Sequence, residues 1–454
     1  MNRLHVMLNN RKRFLFSAAL AGVLVLLAGG ANALANTVWC VPSTSISSAC
    51  TSGGGHIHIQ SAVYAASEGD VILVGPGTYH ETVYIDTDYV YIFGAQAGRD
   101  ARTRSGLSKE SIVDASPGAY GDGGGAAFHI EEEVYNVVID GFTVQGGNST
   151  GGSYGSGIIV GLEAYTIQIL NNIIQNNAIG LYMYYPYAIL VEHNLFQNNN
   201  NGPSGSDVYE FSGESGIGIA VYDDAYGTTI TENAFEGNLG TAMWIYDADY
   251  LEITRNTSEK DGSFVAFYDC DYVYFDHNQG KDFGALGIKP VYGEKARAAV
   301  DLTYYNGYMQ INNNVLDKGK VAGYNGISFS AYWGAYYVGY YSHVSNNTIT
   351  RFAGNGIVAQ PAVSAPYYEY STLYLCMIAH NDVEDNGKDG ILIGNGEYNY
   401  YNAVFDNKAE GNGRNDCEDD TVNDLTAGTY NTWFNNIGSL SSPGGLCTQG
   451  GWWQ

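Results

Sequence analysis

Three stretches of the sequence, AVYDDAYGTTITEN (220–233), WIYDADYLEITRN (244–256) and AFYDCDYVYFDHN (266–278), share one pattern. Each stretch ends at an asparagine. In the second and third, apolar residues stand five and three positions before it: Leu251 and Ile253, then Val273 and Phe275. Alternation with a period of two is typical of a strand with one buried face. The stretches therefore predict short strands that turn at the asparagine.

The same asparagine recurs along most of the chain, with a shortest interval of 22 residues and longer intervals that hold insertions. Strands this short are stable only when successive rungs stack and pair with one another, as in a solenoid. We expect the turn asparagines to hydrogen-bond to one another and to be structural. The column consists of Asn172, Asn194, Asn233, Asn256, Asn278, Asn314, Asn347, Asn381 and Asn407.

These rungs resemble those of the right-handed parallel β-helix, or pectin-lyase-like, superfamily, in particular its secreted proteins with NosD-type repeats. The segment IQSAVYAASEGDVILVGPGTYHETVYI (59–85) is similar to the family's N-terminal signature, in which a short helix caps the solenoid. The segment NDCEDDTVNDLTAGTYNTWFNNIGSLSSPGGLC (415–447) resembles a closing segment of secreted members. The resemblance implies an all-β, right-handed parallel β-helix.

The β-helix is expected to span residues 36–454, with an N-terminal cap at 36–70 and a C-terminal cap at 410–454. Caps are expected on physical grounds too, because an uncovered terminal rung would expose unpaired backbone groups and promote polymerisation. The resemblance says less about function, because this fold hosts lyases, hydrolases, epimerases and adhesins.

The N-terminus has the features of a secretory signal peptide. Arg3 and the basic residues 11–13 precede the apolar run FLFSAALAGVLVLLAGG (14–30), and small residues follow up to Ala35. Such a pattern directs export and cleavage. We expect a signal peptide at 1–35 and a secreted or cell-surface mature chain without a transmembrane segment.

The mature chain is strongly acidic. Without the four basic residues of the signal peptide, sixteen Lys and Arg remain against 47 Asp and Glu, a formal charge of −31. Nucleic acids and anionic membranes are bound through Lys and Arg, so neither is an expected partner. The same charge would repel a polyuronate unless Ca²⁺ bridged the two.

The six cysteines divide into two groups. Cys40 with Cys50, and Cys417 with Cys447, are close in sequence at opposite ends of the chain. In an exported protein these spacings predict two disulfides that hold the caps. We expect Cys270 and Cys376 to be buried free thiols.

Aligned on the turn asparagine, three rungs place carboxylates one above another. Asp224, Asp247 and Asp269 stand nine positions before the asparagine, with Asp223 replacing Asp224 if that rung is aligned on its strand. Tyr226, Asp249 and Asp271 stand seven positions before it. Adjacent rungs are about 4.8 Å apart. Stacked carboxylates at that spacing either raise a pKa or bind a cation.

Three interpretations of this aspartate column remain open. The first is a Ca²⁺ site at Asp224, Asp247 and Asp269. The second is a carboxylate pair for glycoside or uronate chemistry, drawn from Asp247, Asp249, Asp269 and Asp271, with Lys289 or Arg297 of the following insertion as a base. The third is a set of solvated turn residues. The motifs of polygalacturonases, pectate lyases and alginate epimerases are absent from the sequence.

The chain holds 39 tyrosines, many of them clustered in turns. Buried tyrosines need hydroxyl partners, so most are expected outside, in aromatic tracks over successive rungs. Tyr222, Tyr246 and Tyr268 are the candidates for substrate binding. One hypothesis is therefore a carbohydrate-active protein with a groove along these residues. The other is a non-catalytic surface or adhesion protein that associates, with itself or with a partner, through tyrosine-rich faces.

Overall fold

The computed structural model describes residues 37–42, 50, 56–105, 109–116, 125–148, 155–201, 215–288, 297–330, 338–360, 373–395 and 399–449. In this part of the chain, short parallel strands form three long sheets that wind into a right-handed parallel β-helix, as predicted. The predicted signal peptide, residues 1–35, lies outside the described residues. No helix of the described part is long and apolar enough to cross a membrane.

The first sheet has 14 strands, and all strands are numbered here in chain order. They are β1 (Val38–Val41), β2 (Val71–Val74), β5 (Tyr91–Phe93), β8 (Val138–Asp140), β11 (Gln168–Leu170), β14 (Leu190–Glu192), β17 (Thr229–Thr231), β20 (Glu252–Thr254), β23 (Tyr274–Asp276), β26 (Gln310–Asn312), β30 (His343–Ser345), β34 (Met377–Ala379), β37 (Ala403–Phe405) and β40 (Thr432–Phe434).

The second sheet has 12 strands. They are β3 (Gly77–Tyr79), β6 (Ser111–Asp114), β9 (Phe142–Gln145), β12 (Ile173–Gln175), β15 (Leu195–Gln197), β18 (Ala234–Glu236), β21 (Thr257–Glu259), β24 (Gln279–Phe283), β27 (Val315–Gly319), β31 (Thr348–Thr350), β35 (Asp382–Glu384) and β38 (Lys408–Glu410).

The third sheet has 15 strands, two of them beside its main path. The main path is β4 (Val83–Ile85), β7 (Phe128–Ile130), β10 (Ser156–Val160), β13 (Ile179–Tyr184), β16 (Ile217–Tyr226), β19 (Thr241–Asp249), β22 (Val265–Asp271), β25 (Ala298–Gly307), β28 (Asn325–Ser330), β32 (Ile357–Ala359), β36 (Ile391–Ile393), β39 (Cys417–Asp419) and β41 (Ser441–Ser442). Strand β29 (Gly339–Tyr340) pairs with β25 and with β33 (Leu373–Tyr374).

The core runs along the axis of the solenoid and is built by the predicted alternation. Ile253, Phe275 and Ile311 are aligned on neighbouring strands of the first sheet and are fully buried. The polar residues between them face outward. Because each inward position repeats on every rung, the apolar side chains form continuous stacks inside the solenoid.

The asparagine column forms the predicted ladder at the turn between the first and second sheets. The Asn278 N–H and Nδ2 both donate to Oδ1 of Asn314, at 2.9 and 3.1 Å, and Nδ2 also donates to the Ile253 carbonyl at 2.9 Å. The same arrangement links Asn407 to Asn436, one rung beyond the predicted column. From Asn172 to Asn436, each asparagine of the ladder therefore satisfies buried polar groups of its neighbour.

The predicted N-terminal capping helix is α1 (Ile59–Ala65), and it covers the first rungs with Ile59, Ala62 and Val63 buried. The buried Glu81 carboxylate accepts from the Ile59 and Gln60 N–H groups, at 2.9 Å each. Glu81 thus supplies the N-terminal acceptor that the helix lacks locally. Strand β1 lies within the predicted cap region but already pairs with β2.

The cysteines behave as predicted in two respects and differ in one. Cys40 and Cys50 form a disulfide, and Cys270 and Cys376 are buried free thiols. Cys417 and Cys447 are also free, so the second predicted disulfide is not formed in this structure. The two thiols are nevertheless in hydrogen-bond contact, since the closing segment brings Cys447 against β39.

Candidate functional site

A column of tyrosines runs along the turn from the third sheet to the first and is interrupted at three successive rungs. Backbone pairing aligns Tyr135, Tyr165, Tyr187, Tyr226, Asp249, Asp271, Gly307, Tyr340, Tyr374 and Tyr400. Over these rungs, tyrosine gives way to two aspartates and a glycine. The gap in the tyrosine column therefore coincides with the predicted aspartate column.

The alignment of Asp249 with Asp271 confirms the register expected from the sequence. Asp247 and Asp269 stand nine positions before the turn asparagine and lie at a bulge of the third sheet. Their backbone is left-handed there, with φ of 51° and 56°. In β16 the pairing shifts between Tyr222 and Ala225, so this strand carries one extra residue at the bulge. Asp223 and Asp224 therefore both occupy the bulge, which resolves their alternative alignments.

Aromatic rings flank the carboxylates on both sides. On one side, outside the third sheet, Tyr222 stacks on Tyr246 with ring centroids 5.2 Å apart, and Tyr268 lies 5.7 Å from Trp244. The three predicted substrate-binding tyrosines thus share one face. They pack against an apolar patch on the outside of the sheet that includes Trp244.

On the other side, tyrosine rings form a second stack one residue beyond the gap. Tyr250 stacks on Tyr272 at 4.8 Å, Tyr272 on Tyr308 at 4.6 Å, and Tyr308 on Tyr341 at 5.4 Å. The tyrosines of this stack are partly exposed to solvent. The aspartates therefore occupy a polar strip between two aromatic rows, an arrangement that offers both ring surfaces and charged acceptors to a ligand.

The carboxylates perturb one another. Burial, followed by the charges of Asp224 and Asp269, raises the pKa of Asp247 to about 6. Burial and the charge of Asp271 also raise the pKa values of Asp249 and Asp269. Within the described residues, no salt bridge neutralises any of these aspartates. The strip can therefore hold a proton near neutral pH beside ionised carboxylates.

The structure gives no support to the predicted calcium set. In the described part of the chain, no group of three or more His, Cys, Asp or Glu side chains is arranged to hold a metal ion. Asp224, Asp247 and Asp269 are close enough to interact electrostatically but do not form such a group. Ca²⁺ prefers six to eight oxygen ligands, so three carboxylates on three successive rungs would have to converge on one point to hold it.

Of the two predicted basic partners, Arg297 lies within the described residues, and the structure places it away from the strip. Arg297 immediately precedes β25, at the end of the third sheet opposite the aspartates. Arg297 stands seven positions before Tyr304, which lies at the level of Asp269. At the rise of a strand, this places the Arg297 backbone roughly 20 Å from the Asp269 backbone. The position of Arg297 therefore lends no support to its predicted role as a base beside the aspartates. Lys289 lies outside the described residues.

The sequence interpretation missed two tyrosines that hold aspartates of this region. The Tyr340 hydroxyl lies 2.9 Å from both Asp271 carboxylate oxygens. A hydrogen bond to Asp223 raises the pKa of Tyr185 to about 12. Both tyrosines belong to the tyrosine-rich turns that the sequence shows. Their carboxylate partners lie on other rungs, so the sequence did not indicate these hydrogen bonds.

No family model matches the sequence, and no curated protein matches it. Among solved structures, the catalytic unit of a thermostable GH87 α-1,3-glucanase from Streptomyces thermodiastaticus strain HF3-3 is similar over 94% of this chain and 72% of its own. The identity is 13% and the TM-score 0.55.

Two further structures have lower TM-scores. The DFA-IIIase of Arthrobacter chlorophenolicus A6 without its lid has 15% identity, covering 88% of this chain and 99% of its own, with a TM-score of 0.49. The alginate lyase of Paenibacillus sp. str. FPU-7 has 14% identity, covering 66% of this chain and 94% of its own, with a TM-score of 0.43. At these identities the likeness to the glucanase supports the shared fold.

Proposed function

We propose that this protein is a secreted carbohydrate-active enzyme that binds an extracellular polysaccharide along the polar strip and hydrolyses its glycosidic bonds. One observation carries the proposal: Asp247, with a pKa of about 6, lies beside other carboxylates between two rows of tyrosine rings. Glycoside hydrolysis needs a proton-bearing and an ionised carboxyl group on either side of the scissile bond. The similarity to an α-1,3-glucanase is compatible with this chemistry.

In this proposal Asp247 is the general acid and gives its proton to the leaving glycosidic oxygen. Asp271, on the adjacent rung, is the partner carboxylate that attacks the anomeric carbon or takes a proton from the attacking water. Burial and the charges of Asp224 and Asp269 keep the proton on Asp247. Water adds across the bond, so one new reducing end appears for each bond cleaved.

Tyr222, Tyr246 and Tyr268 would bind the apolar faces of successive sugar rings, while the carboxylates accept hydrogen bonds from sugar hydroxyls. A neutral glycan fits this strip better than a polyuronate, because the aspartates would repel uronate carboxylates.

The test is a screen of neutral and acidic polysaccharides for new reducing ends and for unsaturated products, with Ca²⁺ and with a chelator. We expect reducing ends from a neutral glycan. Asp247→Asn and Asp271→Asn should each remove the activity, whereas Asp276→Asn, on the neighbouring first sheet, should retain it. Failure to release product from any glycan would overturn the proposal, and loss of activity with chelator would restore the calcium prediction.

A second candidate function is supported by the stack of Tyr250, Tyr272, Tyr308 and Tyr341. These exposed rings form a face suited to another protein or a second copy of the chain. This alternative is a non-catalytic surface or adhesion protein. Sedimentation velocity distinguishes it, because concentration-dependent self-association that is lost in Tyr272→Ser would favour it.

A further inference from the structure

We infer that Tyr340 and Gly307 are positioning residues for Asp271: the glycine leaves room for the Tyr340 side chain, which fixes the orientation of that carboxylate. The inference deepens the proposed function and rests on it, since it gives the held carboxylate a part in the chemistry of the strip. It is carried by the contacts among three residues on three successive rungs.

The hydrogen bond singles out one carboxylate of the strip. The Tyr340 hydroxyl lies 2.9 Å from Oδ1 and from Oδ2 of Asp271. Within the described residues, Asp247, Asp249 and Asp269 receive no hydrogen bond from another side chain. Asp271 is therefore the carboxylate of the strip that a side chain holds in one orientation, while Asp249 accepts a backbone hydrogen bond from the Asp271 N–H.

Gly307 makes this contact sterically possible. It lies between Asp271 and Tyr340 in the column, aligned with each of them. A Cβ atom at Gly307 would lie 2.2 Å from Tyr340 Cζ, 2.4 Å from Cε2 and 2.7 Å from Asp271 Oδ1. Gly307 is not among the glycines with positive φ, so the need for space, rather than backbone conformation, accounts for the glycine.

The Tyr340 ring is itself held by aromatic neighbours. It packs edge to face against Tyr308, with ring centroids 5.7 Å apart, and against Tyr341 at 6.2 Å. Burial and the hydrogen bond to Asp271 raise the pKa of Tyr340 above the usual range of a phenol. The hydroxyl therefore keeps its proton and remains a donor to Asp271 at the pH values of any glycan assay.

The test compares Tyr340→Phe, Gly307→Ala and the double variant with Tyr374→Phe in the full-length mature chain, on the glycan that the wild type cleaves. Tyr374 is the matched control, because it is aligned with Tyr340 one rung further on and does not bond to Asp271. We expect Tyr340→Phe and Gly307→Ala each to lower kcat about 10- to 100-fold with little change in KM, because a displaced catalytic group reacts poorly.

The double variant should be no worse than either single variant, since both changes break the same contact. If the two changes acted only by loosening the structure, their effects on kcat would add in the double variant. Tyr374→Phe would then also lower the thermal unfolding temperature as much as Tyr340→Phe does. The inference would be overturned if the kcat values of Tyr340→Phe and Gly307→Ala equalled that of Tyr374→Phe. The proposed function would still stand in that case.

A wild type that cleaves no glycan would overturn the proposed function and the catalytic part of this inference together. The contact itself has a separate readout in thermal unfolding. Tyr340→Phe should lower the unfolding temperature of the wild type but not that of Asp271→Ala. Equal losses in both backgrounds would show that Tyr340 does not hold Asp271 at all.

Discussion

The Tyr340 hydroxyl lies 2.9 Å from both carboxylate oxygens of Asp271, although 69 positions separate the two residues in the sequence. The contact passes over the intervening rung at Gly307 and thus joins residues two rungs apart, roughly 10 Å along the solenoid. In a repeat protein most contacts join neighbouring rungs. A contact that crosses a rung at the aspartate strip therefore points to a specialised part of the solenoid.

The pH dependence of activity should follow Asp247. Its pKa is raised to about 6, so the carboxyl group is protonated below that value and ionised above it. As the general acid it must be protonated, and the rate should therefore fall as the pH rises through about 6. The measurement is kcat/KM against pH. Asp247→Asn should lose about 100-fold or more in kcat, and a rate that stays level through this range would exclude Asp247 as the acid.

Stability should also depend on pH through Asp261, which is fully buried and has a pKa raised to about 7, chiefly by burial. The folded state therefore binds a proton that the unfolded state releases near pH 4. The contribution of Asp261 to stability is therefore greatest at or below about pH 4 and is lost as the pH rises toward 7. Asp261→Asn should raise the unfolding temperature by several degrees at pH 8 and little at pH 4.

Circular dichroism melts at both pH values provide the comparison. Asp86→Asn, at an exposed aspartate of an early turn, serves as the control and should change neither melt. If Asp261→Asn were equally destabilising at both pH values, Asp261 would act through its hydrogen bonds to Asn238 and Ser258 rather than through its charge.

The asparagine ladder should contribute strongly to stability. Asn278→Ala removes the acceptor for two Asn256 donors and leaves buried groups without partners. Each such group costs about 1–3 kcal/mol, so we expect a loss of about 3 kcal/mol in denaturant unfolding. His277→Asn is the matched control at the adjacent exposed position, whose left-handed backbone asparagine tolerates. Equal effects of the two variants would contradict a special role for the ladder.

The cap should depend on Glu81. Glu81→Ala leaves the Ile59 and Gln60 N–H groups without their acceptor, and α1 should detach before the rest of the chain unfolds. Limited proteolysis around residues 56–70 would detect the detachment, and light scattering would detect association through the uncovered rung. Glu68→Ala, at an exposed glutamate just after α1, should leave both readouts unchanged. A cap equally protected in both variants would count against the anchoring role.

Cys417 and Cys447 should form a disulfide on mild oxidation, because the two thiols are already in contact. Non-reducing peptide mapping would identify the linked peptide, and the oxidised protein should unfold at a higher temperature. Cys270 and Cys376 provide the internal comparison: they are buried too, but their sulfurs contact backbone carbonyls rather than each other, so both should stay reduced. Oxidation that links other pairs, or none, would contradict this prediction.

Much of the fold was predictable because residues at the same distance in sequence from the turn asparagine are aligned on successive rungs. Asp271, Gly307 and Tyr340 all stand seven positions before it, so their shared column could be read from the sequence alone. The hydrogen bond from Tyr340 to Asp271 could not, because it depends on the missing Gly307 side chain and on a contact that passes over one rung.

A second ladder was missed although its signal is present. Asn177, Asn199 and Asn238 stand five positions after asparagines of the first ladder and hydrogen-bond in series up to Asp261. Phe283 and Phe352 occupy the same offset on later rungs, which conceals the repeat. Closeness in sequence to the aspartates does not bring Arg297 beside them, because a whole strand lies between the two.

The regular spacing of the asparagine ladder allows a single turn of the solenoid to be removed or added. Residues 256–277 form one complete turn of the solenoid, because Asn256 and Asn278 are 22 positions apart and directly bonded. Excising that segment would join Arg255 to Asn278 and would leave the spacing between the remaining residues and their turn asparagines unchanged. The turns on either side of the deletion could then pair with each other. Asp269 and Asp271 would leave with it. Two of the carboxylates of the polar strip thus belong to a single repeat unit, which evolution or an engineer can delete, duplicate or exchange without redesigning the scaffold.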